Sequence, residues 1–539
     1  MHSFKSTLPT RLKRRLWLLA VCVCIYLLIR RSSDSNVQAP LTFDEAIGQH
    51  VPQPEAQITV RGLDDVSQEV VEGSVHARPQ DPERHNALPV LEQQLVSSGP
   101  KTAKAILPMP RFDGASIWND PDEKFLSYLP HSGLSNQQLA LTNALLLAYE
   151  LNRTLILPPA YLGVVAPWKS YYELERKLGF TKKIWEQICV DEDPELRASS
   201  PAWMLKHCDE FNAFVAVKWS WLYDLSPLRK YIRMVDLEGK DVKVGNILKQ
   251  FRISRQDTYI QVDEDPYDWL VYDDPDNIPT GTKYKRILPL SYFGDMPHKL
   301  IQLNSAFGTR RVRSDLPEHK GIKNLIVRSL IYKNDILTSV TSNAVSQLGG
   351  QANFISIHVR TGDPMFEELL ESHIDGAVAD IASLTGYARR FPVEEASLLV
   401  LLKGAVNSTD PVPRKSLEEC KAISQERQRT GTPTGQESII YIATNHKNPS
   451  NDPHFALLYH HFPCIFTLAD LPPSILDPLD TVRSPLESKK PMRSILIPLV
   501  DGMIAGHASK FYANPKSTFS WYIKRMYERW SGGVVHANA

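Results

Sequence analysis

The chain has 539 residues, 42% of them hydrophobic and 23% charged, with 61 basic against 61 acidic side chains. That length exceeds one ordinary core and predicts two domains plus appendages. The balanced charge argues against a nucleic-acid binder, which needs a basic face, but leaves room for a local phosphate site.

Residues 1–15 carry Lys5, Arg11, Lys13, Arg14 and Arg15 and are expected to stay cytosolic. Residues 16–29 (LWLLAVCVCIYLLI) are continuously apolar, and Arg30 and Arg31 follow where a cleavable signal wants small neutral residues. The run is short for a span, but flanking arginines can snorkel and lengthen it. We read a single-pass type II signal anchor, a cleaved signal being the alternative. A short span suits the thinner membranes of the early secretory pathway, so the endoplasmic reticulum or Golgi is expected, with the rest of the chain lumenal. Residues 30–105 are rich in Gln, Glu, Pro, Ser and Asp and predict a disordered stalk.

Residues 106–345 form the first expected α/β domain. Phe125 to Leu129 reads as a strand and Pro130 to Gly133 as a turn. Ser135 with Gln138 suggests a capping box opening a helix whose Leu139, Leu145, Ala148 and Leu151 share a face. Thr154 to Leu157 is a second strand, stopped by Pro158 and Pro159. This is a strand–loop–helix–strand unit of the doubly wound kind. Further on, Asp263 and Asp265 form an acidic D-x-D after TYIQV, the triplet with which a cation-dependent transferase would hold a metal.

Residues 346–530 repeat the grammar as a second α/β domain. Phe354 to Val359 and Ser438 to Ala443 read as strands, and the stretch between Val406 and Gly435, broken by Pro, Ser, Thr and Gly, as an insertion loop. Leu496 to Ser509 is expected helical, Lys510 to Asn514 a strand and Ser517 to Tyr527 a helix. Of the six cysteines, Cys22 and Cys24 fall in the apolar run. An oxidising lumen permits the rest to pair, Cys189–Cys208 and Cys420–Cys464 being expected from their spacing among three possible connectivities. The sequons at Asn152 and Asn407 fit the same compartment.

Ligands on such sheets bind at the carboxyl ends of strands. The first loop there, PHSGLSNQ, offers Gly133 for close backbone approach and Asn136 and Gln137 at a helix start. The second, HVRTGD, places His358 and the planar, fork-shaped guanidinium of Arg360 at a strand end. The third, NPKSTF, sets Ser517 and Thr518 at a helix start beside Phe519. The bland alternatives are a capped helix, an Arg360–Asp363 ion pair, and an N-cap with a buried Phe.

Together the loops resemble the GDP-fucose protein O-fucosyltransferase-like family, as a fungal-type, membrane-anchored member. The family's G-x-x-N-Q and L-N-R-T-L-x-L-P-P stand here as Gly133 to Gln137 and Leu151 to Pro159. Its H-x-R stands as His358 and Arg360, and its later Asp and S-[ST]-F as Asp501 and Ser517-Thr518-Phe519. Asn445 departs from it, since many members carry Asp or Gly there.

The resemblance implies an α/β, GT-B-like fold of two doubly wound, Rossmann-like domains facing a cleft. It also implies GDP-fucose as donor, a protein or glycan hydroxyl as acceptor, inversion at the anomeric carbon, and no metal or other cofactor. Arg360 would stabilise the leaving diphosphate and Asn136 would sit at the reacting centre. Gly133, His358, Asp501, Ser517, Thr518 and Phe519 would hold the nucleotide-sugar. A metal-dependent transferase using another sugar nucleotide, and a non-catalytic binding protein on the same scaffold, are the competing readings.

Overall fold

Two large parallel sheets organise the computed structural model, and in each the central strands are buried on both faces, as apolar runs such as TLIL and IYIAT require. The first sheet uses β1 (Phe125–Tyr128), then α1 (Leu134–Glu150) and β2 (Thr154–Leu157). A hairpin-like antiparallel pair, β3 (Ala160–Gly163) and β4 (Phe214–Val217), lies beside it. After β5 (Met234–Asp236) and β6 (Thr258–Gln261), β7 (Trp269–Tyr272) and β8 (Arg286–Pro289) start a small sheet before β9 (Leu300–Leu303) returns to the first. β10 (Val312–Arg313), α2 (Pro317–Ser329) and α3 (Asp335–Gln347) follow. The strand orders are β5-β2-β1-β9-β6 and β10-β7-β8.

The second large sheet begins at β11 (Ile355–Val359), followed by α4 (Pro364–Leu384), β12 (Ile440–Thr444), β13 (Ile465–Phe466), α5 (Arg493–Gly506), β14 (Lys510–Tyr512) and α6 (Thr518–Trp530). Its order is β13-β12-β11-β14, with Ile355 opposite both Ile440 and Lys510. One apolar cluster runs from Leu141 of α1 and Leu303 of β9 through Val340 of α3 to Met503 and Tyr522. Stacked Tyr223 and Tyr332, with Tyr522 edge-on, reinforce that path.

The structure describes residues 120–179, 189, 202, 208, 211–391, 395–406, 410–432, 435–487 and 490–530. The tail, anchor and stalk of residues 1–105 and the Asn407 sequon lie outside them. Among the described residues no helix is long and apolar enough to cross a membrane. Asn152 is exposed, in a left-handed turn that ends α1.

Two local expectations are corrected. The Ser135–Gln138 capping box does not form: Gly133 is the N-cap, without a side-chain cap bond, and buried Gln138 donates to the Leu330 carbonyl at 3.0 Å. The presumed insertion loop contains a helix, Leu417–Thr430, opened by a capping box between Ser416 and Glu419 and closed by left-handed Gly431. Its breakers cluster at the two ends, and the helix-forming LEECKAISQERQ lies between them.

Disulfides join Cys189 to Cys208 and Cys420 to Cys464, with Cα atoms 5.0 and 5.9 Å apart. The second spans 44 residues and fastens that helix to the residue before β13. Cys420→Ser should therefore cost roughly 2–4 kcal/mol, read from urea unfolding of parent and variant.

Candidate functional site

In a doubly wound sheet the crevice opens where strand order reverses, at the strands' carboxyl ends. Those places are β1/β9 in the first sheet and β11/β14 in the second.

At β1/β9 the loop after Tyr128 is locked by a histidine. His131 is 2% exposed; its Nδ1 bonds Ser132 Oγ at 2.8 Å and its Nε2 bonds Ser305 Oγ at 2.7 Å, beyond β9. Burial, with Arg311's charge adding, lowers its pKa to about 4, so the ring is neutral. Ser132 has φ +63, which turns the chain sharply into α1. Gln137 is fully buried: its Nε2 donates to the Ser132 and Tyr161 carbonyls at 2.8 Å, and its Oε1 accepts from the Tyr161 N–H at 2.9 Å. It is a clamp on the loop. Asn136, one residue earlier, keeps a buried Oδ1 with no hydrogen-bond partner. Gly133 is exposed with φ −63, and an added Cβ would meet nothing within 4 Å, so the folded chain itself does not require glycine there.

At β11/β14 three loops converge. His358 is 5% exposed at the end of β11, and its Nδ1 bonds Ser520 Oγ at 2.6 Å. Its carbonyl accepts from His373 Nε2 at 3.0 Å, and its ring meets Phe519 edge-on at 5.2 Å. Burial, then the nearby His373 and Arg360, lowers its pKa to about 3. Arg360, just past the strand, donates from Nε and Nη2 to Asp363 Oδ2 at 2.8 and 2.6 Å. Both partners are about half exposed, 45% and 50%. The ion pair weighed in the sequence is thus present, in the form worth least to stability.

The backbone around Arg360 is fixed from two sides. Asn445, after β12, accepts from the Thr361 N–H at 2.9 Å and donates to its carbonyl at 2.8 Å. Asn514, after β14, accepts from the Arg360 N–H at 3.2 Å once its carboxamide is turned so that the oxygen rather than the nitrogen faces that N–H. Ser517 Oγ caps α6 by accepting from the Ser520 N–H at 3.2 Å, and Thr518 beside it is exposed. Phe519 packs on Gly502 of α5, where any Cβ would fall 2.6 Å from its ring.

Asp501, to which the resemblance gives a nucleotide-binding role, makes two hydrogen bonds within the protein. It is buried beneath the end of β12, where one oxygen accepts from Tyr441 OH and the other from the Thr444 N–H at 3.1 Å. Burial pushes its carboxyl up to about 7. Its place is to hold the β12 end in position.

A cavity of about 680 Å³ opens on the β14 side of this cluster, lined by His373, Tyr512, Asn514, Ser517, Thr518 and Trp521 among others, and reaching Leu139 of α1. Arg360 does not line it. Sequence reasoning passed over His131, Gly502, Asn514 and Ser520. His131 stood inside the quoted loop, whereas Ser520, three residues into a helix, gave no signal.

Asp263 and Asp265 are engaged elsewhere. Asp263 is buried, accepts from Trp269 Nε1 at 2.8 Å and faces Arg311 at 3.5 Å, while exposed Lys285 pairs with Asp265. Burial raises the Asp263 carboxyl to about 6 despite the guanidinium.

No protein-family model matches the chain. O-fucosyltransferase 30 of Arabidopsis thaliana is 65% identical over 37 residues, which is 7% of this chain and 7% of that protein's length. Crystal structures of POFUT1 with GDP and with GDP-fucose align at 12% identity, over 76% of this chain and 95% of theirs, with TM-scores of 0.31 and 0.32. A superposition at that level decides nothing about this chain. Over a 37-residue stretch the chain is similar to an O-fucosyltransferase.

Proposed function

We propose that the chain is an inverting glycosyltransferase that moves fucose from GDP-fucose to a protein or glycan hydroxyl, on a GT-B-like scaffold. The observation that carries the reading is Arg360. It sits at the strand-order reversal of the second sheet, half exposed, on a backbone pinned by Asn445 and Asn514, and its pair with Asp363 is weak enough to exchange for a diphosphate. Breaking a glycosyl–phosphate bond builds negative charge on the leaving diphosphate. A preorganised guanidinium answers that charge, and the positive start of α6 can add to it.

The other residues take roles their surroundings support. Neutral His358 can exchange a hydrogen bond with the nucleotide, exposed Thr518 can reach a phosphate, and Phe519 can flank the base or ribose. Asn136 Oδ1, a buried acceptor without a donor, suits the acceptor hydroxyl. The reading asks no metal of the reaction, and Asp263 and Asp265 are occupied by Trp269, Arg311 and Lys285. GDP release by the purified full chain from GDP-fucose, set against UDP-sugars and in excess chelator at 25 °C, tests it. Release from GDP-fucose alone supports the reading, and no release from GDP-fucose, with or without candidate acceptors, sinks it.

Gly133→Ala should leave the melting temperature unchanged, since the new methyl meets no protein atom, yet raise KM severalfold if a ligand passes close there. An unchanged KM would remove Gly133 from the site.

We further propose that residues 16–29 anchor the chain in a type II orientation in the endoplasmic reticulum or Golgi. The C-terminus should then resist protease in intact microsomes and be digested once detergent is added. Digestion in intact vesicles would overturn this topology.

A further inference from the structure

Far along α1 from Gly133, the helix ends at Glu150, and there Asp273, directly after β7, and His319, in the first turn of α2, approach it. One ligating atom from each lies within 4.8 Å of the other two. His319 Nδ1 is 2.7 Å from Asp273 Oδ2 and 3.6 Å from Glu150 Oε1. The Glu150 and Asp273 side chains are 0% and 1% exposed, and His319 is 14%.

Two sealed carboxylates share one imidazole, and the charge of Lys323 acts on both of them. Ser314 Oγ donates to Glu150 Oε1 at 2.6 Å, and the Asp315 and Leu316 N–H groups donate to Asp273 at 2.8 and 3.2 Å. Glu150 Oε2 remains buried with no hydrogen-bond partner. Such an atom in a native protein calls for an explanation, an ion among them.

We propose that Glu150, Asp273 and His319 form a structural site for a divalent first-row metal, zinc fitting best. Zinc takes imidazole nitrogen and carboxylate oxygen at about 2.0–2.2 Å in a tetrahedron, which places neighbouring ligand atoms about 3.4 Å apart. The two edges at His319, 2.7 and 3.6 Å, bracket that value and the third, Glu150 to Asp273, is within 4.8 Å, so side-chain rotation brings the three onto one ion, with a water in the fourth position. The metal takes the place of the proton between His319 Nδ1 and Asp273, and the bound ring is neutral imidazole with its hydrogen on Nε2: an imidazolium reaches that form by losing one proton to solvent, a neutral Nδ1–H ring by moving its proton to Nε2. Ser314 and the N–H groups of Asp315 and Leu316 then serve as the outer hydrogen bonds that orient the ligands. Bound there, the ion ties α1, the small sheet and α2 together at the end of α1 opposite the strand-end loops. It acts on stability and takes no part in sugar transfer.

The test uses the full chain in detergent, stripped with chelator, with melting followed by tryptophan fluorescence. Micromolar ZnCl2 should raise the melting temperature by roughly 2–5 °C, reversibly with EDTA, and gel-filtered protein should retain about one zinc per chain. Glu150→Gln should melt no lower than the parent in chelator and need at least tenfold more zinc for the same shift; His319→Ala should lose the shift. If His319→Ala does not fold, Glu150→Gln and the metal analysis decide. No retained zinc with no shift in the parent, or an undiminished shift in Glu150→Gln, would overturn the site. None of these readouts uses a substrate, so they stand apart from whether the chain turns over GDP-fucose.

Discussion

Arg360→Ala is expected to lower GDP-fucose turnover roughly a hundred- to thousandfold while moving the melting temperature by about a degree or less. The two halves of that expectation rest on different observations. The rate loss follows from removing a preorganised cation where the diphosphate gains charge. The small stability change follows from the pair with Asp363, which is half exposed on both sides and so contributes about 0–1 kcal/mol. Arg360→Lys should rescue little, because an ammonium cannot reproduce the two-donor fork that now holds Asp363 through Nε and Nη2. Asp363→Asn is the control. If Arg360 serves only its neighbour, Asp363→Asn and Arg360→Ala should behave alike, with normal GDP release from both. If Arg360 serves the diphosphate, Asp363→Asn should keep far more activity than Arg360→Ala. A folded Arg360→Ala protein with parental turnover would end the catalytic assignment.

The strand-end loops were legible because turn chemistry and apolar runs act locally. IYIAT and TLIL are too apolar and too short to be anything but buried strands, and the residues that follow them are set at the carboxyl ends by the parallel topology. What was not legible depends on partners distant in the chain. Asp501 reads as a functional acid in sequence, but Tyr441 OH and the Thr444 N–H, brought in by β12, occupy both its oxygens. Asp263 and Asp265 read as a metal triplet until Arg311, Trp269 and Lys285 arrive from later segments. Gln138 reads as half of a capping box, yet the fold spends it on the Leu330 carbonyl. Ser520 and Gly502 matter only because α5, α6 and β11 meet, so a hydroxyl bonds His358 and a missing side chain admits Phe519. Nor does spacing along the chain bring Glu150, Asp273 and His319 together; the ends of α1 and β7 and the start of α2 do.

Asp501→Asn is expected to change the pH dependence of stability strongly. Burial raises the folded carboxyl from the ordinary 3.8 to about 7, against the opposing bonds from Tyr441 and Thr444. The folded chain therefore holds this proton more tightly than the unfolded chain. The contribution is fully present below about pH 4 and is lost as pH rises through 7, a change on the order of 4 kcal/mol. His358 and His131 run the other way: their folded pKa values, about 3 and 4, lie below the ordinary 6.5, so their contribution is lost as pH falls from 6.5. In the parent the slopes oppose each other between pH 4 and 6.5. Asparagine keeps the volume, can accept from the Thr444 N–H through Oδ1 and can donate to Tyr441 through Nδ2, so it removes only the carboxyl's slope. Urea unfolding should then show the variant gaining on the parent as pH rises from 4 to 8, while its own stability climbs steeply toward pH 6.5 on the unopposed histidines. A difference between variant and parent that stays constant with pH would mean the carboxyl is not shifted. Turnover separates the positioning role from a ligand role: with both bonds kept, GDP release should stay within a few fold of the parent, whereas a hundredfold loss in a folded Asp501→Asn protein would place the carboxylate on the nucleotide.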